Sequence, residues 1–413
     1  MLRADQAIER PPTLPGDQVL EAAQLSVSIS RIAEVGDVAG QWSDLELRSD
    51  ATFFLSWDWI GCWLRQSGAS PYLLTVRHGG VVVGLALLQP VRQRRHRLLH
   101  ANALTLHQVG RADMDIITIE HNGLLADRRY TAVATEACVD FLVRHRRGTG
   151  WDWNELHMGG TPAPEGLRPL ADKAGLLMWY YAYKQSWVVD LQAIRQSGGS
   201  YLASLSANTR YQIRRAARLY EKRGPLTATP ARDVAEAMRF FEPMKALHQR
   251  YWISRGHPGS YAYPFFERFH RALIAECLPK GTVELLCIAA GGVPIGYVYN
   301  FVSNGRVCAY HTAFEYDEDP KLKPGLVSHH LCIERHLQGT AAVYDFLAGG
   351  ERYKASLAQP GPDMAHLVLQ RPLLRFRAEH AARRLKGRLG DWLHSIRKPA
   401  APGDSIGKAA THD

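Results

Sequence analysis

The sequence predicts an α/β (α+β) protein built as a tandem repeat of one unit, and three observations carry that expectation. Gly-Gly-Val-x-x-Gly occurs at 79–84 and again at 291–296, each time between apolar runs that read as hairpin strands. Further along each half, Glu155-Leu-His-Met-Gly-Gly160 lines up with Asp345-Phe-Leu-Ala-Gly-Gly350, in the same order and in the same strand–strand–helix–strand setting. A length of 413 residues leaves room for about two domains.

The elements follow in order. Residues 1–20 carry Pro11, Pro12, Pro15 and Gly16 with little periodicity and read as a loose arm. Alternating Leu25, Val27 and Ile29 suit a strand over 24–33, and the aromatic run 57–64 suits a short helix. Runs 72–76 and 81–88 flank Gly79-Gly80 as a hairpin, because two glycines supply the positive φ of a tight turn. A helix over 128–146 and a strand over 153–157 complete the first half. In the second, 283–289 and 293–301 flank Gly291-Gly292, Asn304-Gly305 turns into a strand over 306–312, a helix covers 326–337, and a strand covers 343–347.

Composition bounds the class. The chain is 46% hydrophobic, 9% aromatic and 22% charged, as a globular protein is, which excludes a disordered tail or a collagen. No apolar run is long enough for a membrane helix, and the first ten residues show no secretory core, so a cytoplasmic location is expected. Six cysteines lie scattered without a Cys-x-x-Cys pair, so neither a disulfide framework nor a zinc site is expected; no metal is anticipated at all. Lys and Arg exceed Asp and Glu by 50 to 40, and 371–398 holds nine basic against two acidic residues, +7 of the +10. In that segment Leu374, Ala378, Ala381, Leu385, Leu389, Trp392, Leu393 and Ile396 fall at three- and four-residue steps, one apolar helical stripe. Such a basic amphipathic helix either docks back on the second domain or makes peripheral contact with the inner face of an anionic membrane. A flexible tail over 399–413 is expected beyond it.

Between the halves, 201–223 reads as a helix capped by Ser204 or Ser206 and stopped by Gly224-Pro225. Arg210, Arg214, Arg218 and Lys222 recur every four residues and share a face, where like charges repel unless an anion lies against them.

Three groups of residues carry a family resemblance: Tyr201-Leu-Ala-Ser-Leu205 with Asn208-Thr-Arg210 and Arg214-Arg215; Leu247-His248-x-Arg250-x-Trp252; and Tyr344-Asp345-Phe346 with Glu351-x-Tyr353-Lys354. In that order the chain resembles, over about 24–395, the tandem GNAT-fold acyltransferases of the CelD/BcsL (BioF2-like) type from polysaccharide gene clusters, distant relatives of the FemA/FemX aminoacyl transferases. Lys323-Pro-Gly-Leu326 stands where the family has a Ser-Pro-Gly turn. The resemblance implies GNAT-like domains over 21–185 and 186–370, mixed β-sheets flanked by helices, and a cleft between them. The second domain is the catalytic candidate. The first, with Thr161-Pro-Ala-Pro164 where the second has Tyr-Lys, is the degenerate copy that shapes the cleft.

The resemblance also implies an acyl-CoA donor, bound where strands splay and a helix start meets the pyrophosphate. Thr312, Lys323, Gly325 and Leu326 are the candidates, with Arg210 and Arg214 on a phosphate of the ligand. Acyl transfer needs a base, an acid and a positive charge for the oxyanion. Asp345 or Glu351 is the candidate base, Tyr353 the acid and Lys354, expected to be exposed, the charge, with His248 an alternative base. His248, Arg250 and Trp252, with His257, form the expected acceptor wall. The leading expectation is therefore an acyltransferase acting on an amine or hydroxyl of a sugar or small envelope precursor. Aminoacyl-tRNA-dependent transfer and a non-catalytic accessory role in polysaccharide synthesis are the alternatives.

Overall fold

The computed structural model describes residues 24–32, 34–95, 99–145, 152–349 and 352–397. The expected arm over 1–20, the tail over 399–413 and the candidate base Glu351 lie outside the described residues.

In the first half, β1 (Leu25–Arg31), β2 (Tyr72–His78), β3 (Val81–Arg95), β4 (Leu99–Leu106), a short β5 (Leu125–Ala126), β6 (Glu155–Pro162) and β7 (Leu177–Asp190) alternate with α1 (Val35–Leu47), α2 (Trp57–Ser67), α3 (Thr131–Arg144) and α4 (Leu167–Lys173). Then α5 (Leu191–Gln196), α6 (Tyr201–Ser204) and α7 (Ala207–Glu221) lead into β8 (Leu226–Pro230), α8 (Val234–Ile253) and α9 (Pro264–Cys277). The chain continues through β9 (Val283–Ala290), β10 (Val293–Ser303), β11 (Arg306–Phe314), α10 (Pro324–Leu337), β12 (Val343–Ala348), α11 (Arg352–Leu357), β13 (Gln359–Gln370) and α12 (Leu374–Arg397). The predicted mixed α/β class, with a mixed sheet flanked by helices, is what the chain forms.

The repeat is visible in the geometry. Both Gly-Gly turns hold both glycines at positive φ, 53° and 84° at 79–80 and 60° and 81° at 291–292, the conformation a two-residue hairpin loop requires. Then β6 runs parallel to β4 and β12 parallel to β11, the one parallel pairing in each half among the described residues. The halves do not keep separate sheets, however. One sheet runs β1-β2-β3-β4-β6-β13-β7-β12-β11-β10-β9-β8. The closing strand of each half is exchanged, so that β13 lies on β6 and β7 lies on β12. Residue 185, where the sequence suggests a division, falls inside β7.

Packing fuses the halves further. On one face α1 and α2 meet α8 and α9, and Trp59 lies against Phe269 (ring centroids 4.9 Å) while Phe53 stacks on Phe301 (4.4 Å). All four rings are buried, each contributing about 1.5–3 kcal/mol.

Two expectations change. The helix over 201–223 is two helices, because the Ser206 side chain accepts from Thr209 N–H and starts a new one after the extended Leu205. The start of α12 docks on the first half, not the second, since β13 delivers the chain beside β6. Buried Phe376 anchors it, Glu379 pairs with Arg95, and Arg383 stacks on Trp179. Among the described residues no helix is long and apolar enough to cross a membrane.

Candidate active site

Strands β11 and β12 pair only from Arg306↔Val343 to Cys308↔Asp345, then part. The cause is local. Leu347 sits at φ 62°, a conformation that costs an L-residue about 1–2 kcal/mol, and its N–H is held by Asp345 Oδ1 at 2.7 Å. Asp345 is fully buried and also accepts from Arg306 Nη1 at 2.8 Å and His121 Nε2 at 2.9 Å. Burial alone would raise its carboxyl, but His121 and Arg306 outweigh that and hold it below the usual range. The candidate base Asp345 is thus engaged in holding the bend, and it is not on the wall of the cavity that the bend opens.

That cavity, of about 480 Å³, fills the gap between the parted strands. Ala309, Tyr310, His311 and Thr312 of β11 face Phe346, Leu347 and Ala348 of β12. Tyr353 and Lys354 of α11 and His248 and Trp252 of α8 complete the second half's share, with His257 beside them. Lys354, expected to be exposed, is buried, and its Nζ donates to the Ala348 carbonyl at 3.0 Å.

The remaining wall comes from the first half. Between β4 and α3 the chain runs through a segment with few regular elements, which crosses to the cavity and lines it with Ile116, Thr118 and Glu120. Glu120 Oε2 accepts from Ala348 N–H at 2.7 Å. Burial pushes its carboxyl up to about 7, countered by the Ala348 N–H and the Lys354 charge. No periodic pattern in the sequence singles out Glu120. The available signal was length, since connections beyond about 12–15 residues without structure of their own are usually functional. The same segment fills the first half's own wedge: beyond Thr105↔His157, where β4 and β6 cease to pair, Asn122 N–H bonds to the Gly160 carbonyl at 2.9 Å.

His248 and Trp252, four apart, share a face of α8 and both line the cavity, while Arg250 points away and pairs with Glu315. Alternate residues share a face on a strand, not on a helix. Burial brings His248 down to about 4, and His311, 4.4 Å away between ring centroids, is pushed well below its ordinary value by burial and by His248 and His270. Both imidazoles are neutral at pH 7.

Lys323, Gly325 and Leu326 stand at the start of α10, off the cavity wall. No side chain caps that helix start. One turn in, His329 stacks on Tyr353 at 5.6 Å and so links the helix to the cavity. Arg210 and Arg214 lie on α7, also off the wall; Arg210 donates to the Leu202 and Ala203 carbonyls. Among the described residues no carboxylate pairs with Arg210, Arg214 or Arg218, and no group of three or more His, Cys, Asp or Glu is placed to hold a metal.

Residues 207–355 match the family model of the acetyltransferase (GNAT) domain. The stretch runs from α7 to Ala355 in α11, so it contains every second-half residue that lines the cavity, and it supports transferase activity of the acyltransferase kind. No curated protein matches the chain. Among solved structures, FemX superposes with a TM-score of 0.50 at 11% identity, over 81% of this chain and 96% of FemX. A conserved protein of unknown function from Bacteroides thetaiotaomicron superposes with a TM-score of 0.50 at 10% identity, over 84% of this chain and 100% of that one. At such identity the likeness is one of fold.

Proposed function

We propose that the protein transfers an acyl group from a coenzyme A thioester to an amine or hydroxyl of a sugar or other small envelope-polysaccharide precursor, in the gap between β11 and β12. One observation carries the reading: within the GNAT-matching stretch, two parallel strands part and a buried lysine and a tyrosine stand at the opening. Beyond Cys308 the backbone of β11 is no longer paired with β12, which leaves polar groups on that edge to take the acyl carbonyl. Lys354 supplies positive charge for the oxyanion, and Tyr353 a proton for the departing sulfur. Trp252 and His257 offer ring faces to a sugar. The uncapped start of α10, with Lys323, Gly325 and Leu326, takes the pyrophosphate, and Arg210 and Arg214 a further phosphate.

The arginine row of α7, without carboxylate partners among the described residues, favours a second reading, aminoacyl transfer from the end of a tRNA. Incubating the protein with a panel of acyl-CoA thioesters and amine or hydroxyl acceptors, with products read by mass spectrometry, separates the two. Acylated product with release of thiol is expected. Turnover with an aminoacyl-tRNA alone would replace the first reading by the second. In either case Arg210→Ala with Arg214→Ala raises KM for the donor and leaves kcat largely intact.

A further inference from the structure

We infer that Glu120, delivered by the first half of the chain, takes the proton from the acceptor nucleophile in the second half's cavity; the inference rests on the acyl-transfer reading of that cavity.

Glu120 is the one carboxylate among the described residues that line the cavity. Asp345 is buried among Arg306, His121 and the Leu347 N–H and is off that wall. Glu120 is held in place through one oxygen: Oε2 accepts from Ala348 N–H, and among the described residues Oε1 carries no such bond. The segment that brings it is pinned on both sides, by Tyr310 donating to the Ile117 carbonyl and by the His121–Asp345 bond. A base fixed on a rigid strand and a pinned segment is oriented before the substrate arrives.

Its surroundings suit the task. Among the described residues, the ionisable groups around it are Lys354 from α11, His121 from its own segment, Asp345 from β12 and Cys308, Tyr310 and His311 from β11, with Tyr353, His248 and His257 on the cavity wall. Burial outweighs the cations and keeps the carboxyl near neutrality, where a base is half ionised and still strong enough to accept a proton. In the step, the acceptor N–H or O–H attacks the acyl carbon. The new C–N or C–O bond forms, the C–S bond breaks, and the proton passes to Glu120. The departing thiolate gains a proton from Tyr353, which is restored by the one on Glu120, so the enzyme returns unchanged.

The test is the pH profile of kcat/KM for the full-length protein and for Glu120→Gln, with the donor and acceptor found in the thioester screen. An amide oxygen at 120 still accepts from Ala348, so position is kept while basicity is lost. Expected are a wild-type rate that rises with pH through about 7, a fall in turnover of about 10²–10⁴-fold in Glu120→Gln with the acid limb abolished, and an unchanged KM for the donor. Wild-type turnover, or an acid limb that persists in Glu120→Gln, overturns the role and leaves Glu120 as a prop for β12. Should that variant fail to fold, Glu120→Asp decides: lowered turnover with a displaced acid limb supports the role, and an unaltered profile overturns it. A wild-type protein inactive with every thioester and aminoacyl ester overturns the acyl-transfer reading itself, whereas wild-type turnover matched by Glu120→Gln overturns this inference alone.

Discussion

Glu120 and Lys354 hold the two ends of one residue: the carboxylate accepts from the Ala348 N–H at 2.7 Å, and the ammonium donates to the Ala348 carbonyl at 3.0 Å. The two come from opposite halves of the chain, so the lip of β12 is fixed by both copies of the repeat. A cavity shaped this way belongs to neither half alone.

Lys354→Ala should therefore act twice. Loss of one oxyanion stabiliser lowers turnover by about 10²–10³-fold. Removing a buried donor also leaves the Ala348 carbonyl without it, which costs about 1–3 kcal/mol. Steady-state kinetics and thermal melting read the two effects separately. Normal kcat in a folded variant would remove Lys354 from the chemistry.

Asp345 makes a different prediction, because its role is to hold the bend at Leu347. Arg306→Met leaves a buried carboxylate short of a partner and should destabilise the fold by about 3–5 kcal/mol at pH 7. The sign with pH follows from a carboxyl held below its usual range. Its stabilisation is fully present above the ordinary aspartate value of about 3.9 and is lost as the pH falls through the lower folded value. Urea unfolding of wild type and Arg306→Met should converge as the pH falls through that lowered folded value. A constant gap would show that Asp345 is not the linked group.

The docked start of α12 sets the third expectation. Truncation after Gln370 removes buried Phe376 and takes Glu379 from Arg95, which keeps Glu155 as a partner. Loss of a buried aromatic side chain costs about 3–5 kcal/mol, so the truncated protein should melt well below the full chain. Equal stability would mean that the helix does not dock in solution. Co-sedimentation of the full chain with anionic vesicles, lost at high salt, would add membrane contact through the far end of the helix.

Much of this architecture is legible in the residues themselves. Gly79-Gly80 and Gly291-Gly292 announce their turns, because a two-residue hairpin needs positive φ and glycine supplies it at little cost. Strand exchange is not legible: which neighbour β7 and β13 choose depends on pairing between strands distant in sequence, and Pro360 and Pro362 near the start of β13 read as loop. At the site, Tyr353, Lys354, His248 and Trp252 line one cavity, while Arg250 does not, because a helix turns 100° per residue. Glu120 escaped because it has no periodic context and lies 228 residues from the backbone N–H it touches.

Gly160→Ala tests whether the first half serves the second. Gly160 sits at φ 65°, and a Cβ there would overlap the Ile119 carbonyl oxygen and come within 2.9 Å of the Glu120 Cα. Backbone cannot swing aside as a side chain can, so the segment that carries Glu120 must move. Turnover should fall at least about tenfold with donor affinity unchanged, since a small displacement of a reacting group is costly. The fold should lose about 1–2 kcal/mol for the left-handed conformation alone. Gly159→Ala is the control, because the nearest atoms its Cβ would meet are the end of the Gln108 side chain, which can rotate away. Both positions lie outside the 207–355 stretch, so a loss confined to Gly160→Ala would trace to the crossing segment. Wild-type turnover in Gly160→Ala would show that the segment's placement does not govern the chemistry.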